Sequence, residues 1–235
     1  MQTGVEVLLA RLAEWRQSAP PGRPWVTLSW AQSLDGSLAA MQGQATALSG
    51  PEALQMTHTL RAAHAAILVG VGTVLADDPR LNVRLVEGTD PRPVILDSQL
   101  RTPPTARCLA RGGGWPLVLT THRADGTCRW ALEAAGATVL EVGAEADGTV
   151  ALGGVLTALI ALRIKSVMVE GGAQVLTAFL RARLADALVV TVAPVVLGGY
   201  MAVQGAIPAV RLDAVQMMTV GNDLVMMGRP RWTAS

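Results

Sequence analysis

The chain has 235 residues, 51% of them apolar and 16% charged, with a formal charge of +1 at pH 7. That balance excludes a disordered polyelectrolyte and gives no overall positive field with which to hold nucleic acid. Two cysteines, Cys108 and Cys128, with no CxxC or Cys/His cluster, exclude an encoded disulfide scaffold or zinc site.

Val5, Leu8, Leu9, Leu12 and Trp15 recur at helical spacing, so residues 3–18 are expected to form an amphipathic helix that Ala19-Pro20-Pro21-Gly22 breaks. Trp25 to Trp30 is β-rich and starts the core, followed by a polar, glycine-bearing loop from Ser33 to about Gln44. In Ser49-Gly50-Pro51-Glu52, Ser49 can cap a helix, Glu52 can close the capping box and Pro51 suits the first turn. That helix is expected to reach about Ala63, with a strand at Ala66–Gly70. Further strands are expected at Val94–Asp97, Leu117–Thr120, Thr138–Val142, Ser166–Glu170 and Leu188–Ala193, with helices at 128–135, 151–163 and 172–183. Alternation of this kind predicts an α/β fold with a mostly parallel sheet flanked by helices. Val215–Val220 and Leu224–Met227, on either side of Gly221-Asn222-Asp223, predict a C-terminal antiparallel hairpin with the Met217-Met218 and Met226-Met227 pairs in the core. No linker or repeat interrupts the pattern, so one domain over 1–235 is expected, with 1–20 as a helical extension.

Two places suit an anionic ligand, because open α/β sheets bind ligands beyond the carboxyl ends of their strands. One is Val169-Glu170-Gly171-Gly172, a strand end that opens a helix. The other is the turn Gly70-Val71-Gly72-Thr73-Val74-Leu75-Ala76-Asp77-Asp78-Pro79-Arg80-Leu81-Asn82-Val83-Arg84. The latter is no dinucleotide fingerprint, since Leu75 stands where a third glycine should. Taken singly, each has an ordinary structural explanation: a capping turn, an Asp-Pro turn, solvated Arg61 and Arg84, packed or surface His58 and His64. No order of Ser, His and Asp or of Cys and His suggests a covalent nucleophile. No apolar run reaches the ~18 residues of a membrane helix, and the expected location is the cytoplasm.

Taken together, the motifs are specific. Ser33-Leu34-Asp35-Gly36, Leu60-Arg61, Gly72-Thr73-Val74-Leu75-Ala76-Asp77-Asp78-Pro79, Val94-Ile95-Leu96-Asp97-Ser98, Val169-Glu170-Gly171-Gly172 and Ala193-Pro194 with Leu197-Gly198-Gly199 follow one another over about residues 25–228. This series resembles the reductase domain of the bifunctional riboflavin-biosynthesis deaminase/reductase and its stand-alone archaeal and fungal counterparts, members of the dihydrofolate-reductase-like superfamily. The resemblance implies NADPH-dependent reduction of the ribosylamino group of a 5-amino-6-ribosylaminopyrimidine 5′-phosphate to ribitylamino. It also implies a homodimer, which an apolar C-terminal sheet would suit. The deaminase signature H-x-E with P-C-x-x-C does not occur in the chain.

By the same resemblance, Ala31, Thr73, Asp77 and Ser98 match nicotinamide-nucleotide contacts, and Gly171, Gly172, Ala173, Gln174, Val175, Leu176 and Thr177 match the turn and helix start that cradle the cofactor phosphates. Arg61, Leu81, Arg84 and Glu170 match substrate contacts. Two arginines suit a bidentate grip on phosphate, and Glu170 can hydrogen-bond the polyol or the aminopyrimidine edge. Glu170 and Asp35 are the candidate catalytic groups, Asp35 or a bound water being a conceivable proton source. The sequence departs from bacterial members in having Ser29-Trp30 where they carry a lysine, and Ala45 and Ala47 where they carry a serine and a tryptophan. Those alanines delete a hydrogen bond to substrate and an aromatic surface for the cofactor, so two alternatives stay open: reduction of another pteridine or pyrimidine, and NADPH binding without catalysis.

Overall fold

Apolar side chains at intervals of three and four residues bury Leu8, Leu12 and Trp15 on one side of the first helix, Gly4–Arg16 (α1). The computed structural model describes residues 4–110 and 115–233, so Thr3, the expected start of this helix, lies outside the described residues. The chain continues through strands Trp25–Gln32 (β1) and Ser37–Ala39 (β2), helix Pro51–Ala62 (α2), strand Ala66–Gly70 (β3) and helix Val71–Asp77 (α3). Arg92–Leu96 (β4) and Leu117–Thr120 (β5) follow, then helix Gly126–Ala134 (α4) and strand Thr138–Glu141 (β6). The second half consists of helix Leu152–Ala161 (α5), strand Ser166–Val169 (β7), helix Ala173–Arg181 (α6) and strands Ala187–Val192 (β8), Tyr200–Met201 (β9), Val210–Val220 (β10) and Asp223–Trp232 (β11).

Nine of these strands form one sheet in the order β10-β11-β8-β1-β7-β3-β4-β5-β6. Neighbours from β8 to β6 are all parallel, whereas β11 runs antiparallel to both β8 and β10. The α/β architecture expected from the sequence, with its parallel sheet and C-terminal antiparallel pair, is therefore present. Parallel strands are covered on both faces, which is why β3 reads as the unbroken run Ala66-Ile67-Leu68-Val69-Gly70, buried throughout. Alternate residues face opposite ways. Val26, Leu28, Leu68 and Val169 pack against α5 and α6, whereas Ile67, Val69 and Ile95 pack with α3 and α4, and Trp25, Met168 and Val189 pack with α1 and α2.

Three expectations are corrected. The Ser49/Glu52 capping box does not form: Gly50 is the N-cap of α2, Pro51 takes the first position, and no side chain of this segment caps it. With the cap one residue later, Glu52 is out of register. Buried Asp223, at the start of β11, accepts the Gly50 amide at 2.8 Å instead, placing a carboxylate at the positive end of α2. Second, the segment after β3 is a helix before it is a turn, with Asp78 ending α3 in a left-handed conformation (φ 40°). Third, the methionine pairs do not all lie in the core. Met227 is buried, but Met217 is 62% exposed on edge strand β10, on an outward face shared with Val215 and Leu224. The tight turn at Gly221-Asn222 joins the two strands, and Gly221 there has positive φ and lies against the Glu52 carboxylate.

Cys108 is buried and Cys128 is exposed on α4. Among the described residues, no helix is long and apolar enough to cross a membrane, and no group of three or more His, Cys, Asp or Glu could hold a metal ion.

Replacing Asp223 by Ala removes a charge-assisted bond that ties α2 to a strand more than a hundred residues away. A loss of about 2 kcal/mol of unfolding free energy is expected, read as a lower urea midpoint at unchanged slope.

Candidate functional site

The site follows from where β3 and β7 send the chain. They lie side by side in parallel, with Leu68 opposite Val169, and the Glu170 amide donates to Leu68 O. Beyond that point they part: β3 enters α3 on one face of the sheet, and β7 enters α6 on the other. A crevice opens wherever adjacent strands diverge in this way. Gly171 makes the divergence tight, since a Cβ there would stand 2.6 Å from Val69 Cα. Gly172, with φ 54°, turns the chain into α6 as its N-cap without a side-chain cap. The first bond of the helix runs from the Leu176 amide to Gly172 O, so the preceding amides have no acceptor within the helix.

Two clefts meet over this helix start. The first, about 310 Å³, brings together Ala31, Thr73, Asp77, Glu170, Gly172, Ala173, Gln174 and Val175 from the expected set. Its remaining walls include Trp30 and Ala45, two of the positions at which the sequence departs from bacterial members of the resembling family, together with Met41 and Tyr200, for which no role was expected. The second cleft, about 560 Å³, shares Gly70, Gly72, Gln174 and Val175 with the first and extends past Ser98 and Thr177 to Arg101 and Arg181. Gly171 and Leu176 line neither; Gly171 packs behind the crevice and Leu176 turns into the core. These residues fit a nicotinamide dinucleotide: paired glycines and free amides at a helix start suit its phosphates, with room on either side for its two halves.

The charged groups are arranged differently from the expectation. Arg61 does not offer its fork to an outside anion. Its Nε and Nη2 donate to Glu170 Oε1 and Oε2 at 2.7 and 2.6 Å, and its Nη1 donates to Asn82 O at 3.0 Å. Both side chains are largely buried, so the pair fixes the Glu170 carboxylate at the junction of β7 and the first cleft. Arg84 is the freer cation. Burial, followed by the nearby charges of Arg61, Arg80 and Arg107, lowers its pKa, so an anion placed beside it would relieve that repulsion. The Arg84 amide donates to His58 Nδ1, so the ring proton sits on Nε2. Burial and the neighbouring arginines push His58 down to about 4, which keeps it neutral at pH 7. Leu81 is buried with φ 50°, and lines neither cleft but a hollow beside them with Arg80, Asn82 and Arg107.

Asp35 is held as a clasp. Its carboxylate accepts from Ser33 Oγ, Ser37 Oγ and the amides of Leu197 and Gly198, tying the β1–β2 connection to the β8–β9 connection. Those bonds hold its pKa well below the usual carboxylate range, and it lines neither cleft. Asp77 shows the opposite trend, since burial pushes its carboxyl up within the first cleft. His64 is also structural: its Nδ1 meets Leu60 O, and its Nε2 meets Thr27 Oγ1 and Arg16 Nη2 under α1.

The family model described as the RibD C-terminal domain matches residues 24–226. The 2,5-diamino-6-ribosylamino-4(3H)-pyrimidinone 5′-phosphate reductase of Debaryomyces hansenii is 38% identical over 206 residues, 80% of this chain and 81% of that protein. The riboflavin biosynthesis protein RibD of Aquifex aeolicus is 34% identical over 87% of this chain, which spans 57% of that protein's length. Among solved structures, Acinetobacter baumannii RibD superposes with a TM-score of 0.80 at 29% identity, over 96% of this chain and 64% of that one.

Two outcomes test the charge arrangement. Arg61→Ala strands a buried Glu170 carboxylate and is expected to cost about 3 kcal/mol in urea unfolding, with part recovered in Arg61→Ala/Glu170→Gln. Because the folded pKa of Asp35 is depressed, its contribution is present above the unfolded value of about 3.9 and lost as pH falls below it. Thermal midpoints measured between pH 5 and pH 2 should therefore fall more steeply for the native chain than for Asp35→Asn.

Proposed function

The chain belongs to the RibD C-terminal domain family, and from that membership we propose that it is an NADPH-dependent reductase of riboflavin biosynthesis, converting the ribosylamino group of a 5-amino-6-ribosylaminopyrimidine 5′-phosphate to ribitylamino. The observation that carries this reading is the convergence of two clefts on the α6 start, with the Arg61–Glu170 pair at the edge of the first.

The nicotinamide dinucleotide, when bound, supplies the hydride that reduces C1′ of the opened ribosylamine; position and electrostatics fall to the protein. Gly172 and the first amides of α6 would hold the cofactor phosphates, and Thr73 and Ala31 in the same cleft would contact its nicotinamide nucleotide. Arg61 acts as a positioning residue that aims Glu170 at the polyol or the aminopyrimidine edge. Arg84, in the field of Arg80 and Arg107, receives the substrate phosphate. Asp77, whose carboxyl burial pushes up, lines the first cleft, which Asp35 does not. Trp30 and Tyr200 wall the same cleft against water. The chain works as one reductase domain in the cytoplasm. A homodimer would cover the outward face of Val215, Met217 and Leu224, where the sheet presents apolar side chains without a helix above them.

The decisive assay follows NADPH absorbance with the deaminated and the non-deaminated ribosylaminopyrimidine phosphates offered separately. Oxidation with either supports the reading; turnover of dihydrofolate and of neither pyrimidine overturns it. Arg84→Ala should raise KM for the phosphorylated substrate at least about tenfold, as expected for a lost charge-assisted contact, with NADPH affinity unchanged in calorimetry.

A further inference from the structure

Beside the nine-stranded sheet the chain makes a second, small one, in which β2 and β9 pair antiparallel, Ser37 with Met201 and Ala39 with Tyr200. Together with the segment that follows β2, this pair gives Leu38, Ala39, residues 41–46 and Tyr200 to the lining of the first cleft. Tyr200 is the only tyrosine of the chain. It is half-buried, and its hydroxyl makes no hydrogen bond among the described residues. A phenol hydroxyl can both donate and accept, and a ligand that covers it without pairing it pays for its lost water.

The position of Tyr200 is set by a relay that starts at Asp35. Ser37 Oγ donates to Asp35 Oδ2 at 2.7 Å and accepts the Gly199 amide at 3.0 Å, while the Gly198 amide donates to the same Oδ2 at 2.9 Å. Ser37 is fully buried, so its hydroxyl has no water to turn to. Gly199 passes Ala39 O more closely than any Cβ would allow. Two residues beyond Tyr200, the Ala202 amide donates to Gly36 O at 2.9 Å. Tyr200 is therefore presented to the cleft from a backbone bonded on both sides of it. Glu170 and Tyr200 both line the first cleft and not the second, which puts a further polar group in the cleft that holds the carboxylate assigned to the substrate.

We propose that the Tyr200 hydroxyl hydrogen-bonds the polar edge of the pyrimidine substrate, and that Asp35, acting through Ser37 and Gly199, is its positioning residue. The inference rests on the reading of the chain as a pyrimidine reductase, and adds a second polar contact to that of Glu170. An aminopyrimidine edge suits this group, because it alternates donors and acceptors and a hydroxyl can answer either.

The test is steady-state kinetics with NADPH and the ribosylaminopyrimidine phosphate that the native chain turns over, for the whole chain, Tyr200→Phe, Ser37→Ala and the double variant. Tyr200→Phe keeps the ring and loses the hydroxyl. Its KM for the pyrimidine should rise about fivefold, as for one uncharged hydrogen bond, with kcat, NADPH affinity in calorimetry and the thermal midpoint unchanged. Ser37→Ala breaks the relay and should raise KM by a similar factor, with no further rise in the double variant. A lower thermal midpoint in Ser37→Ala at the native KM is the mark of a purely structural clasp and overturns the positioning role. An unchanged KM in Tyr200→Phe, weaker NADPH binding in that variant, or additive rises in the double variant overturn the proposal while leaving the reductase reading intact. If the native chain oxidises NADPH with neither pyrimidine, the reductase reading falls and this contact falls with it.

Discussion

The approach of Gly171 to Val69 is the constraint on which the rest of the site depends. Two backbones come closer there than any side chain would permit, so the ends of β3 and β7 stay in register up to the point where the chain divides. Glu170 is delivered to the rim of the first cleft on one side of that point, and the α6 amides are delivered to both clefts on the other. A larger residue at 171 would push the strands apart and separate Glu170 from the α6 amides. The contact is structural, yet its consequence is chemical.

Charge in the site is handled by pairing where it is buried and by crowding where it is exposed. Arg61 and Glu170 neutralise each other in a place where either alone would be badly solvated. Nearer the surface, Arg84 does the reverse: its pKa is lowered by burial and then by the charges of Arg61, Arg80 and Arg107, the last of which is itself paired with Asp78. The protein thereby separates a paired carboxylate from the cations around Arg84.

Much of the fold was legible in the sequence because parallel strands covered on both faces leave unbroken apolar runs, as at 66–70 and 166–169. The divergence at Gly171-Gly172 was legible as a strand end opening a helix, which is where the structure places it. Three of the features that the sequence hid depend on long-range partners. Nothing near Gly50 shows that Asp223 will sit beneath it, and a local capping box looks sufficient until the helix starts one residue later. Asp35 reads as a free acid beside two serines, because the Leu197 and Gly198 amides that hold it come from the other half of the chain. Arg61 reads as a phosphate ligand for the same reason, with Glu170 more than a hundred residues away. Met217 was misplaced because pairing in β10 is visible from sequence but which of its faces stays exposed is not.

The two cysteines differ enough in setting to have a practical meaning. Burial pushes the Cys108 thiol up to about 11, which leaves almost no thiolate at neutral pH, whereas Cys128 sits exposed on α4, outside the lining of both clefts. Toward a maleimide under native conditions the molecule therefore behaves as though it had a single sulfhydryl. A dye attached there would report tumbling or association without obstructing either ligand, and no engineered cysteine would be needed to install it.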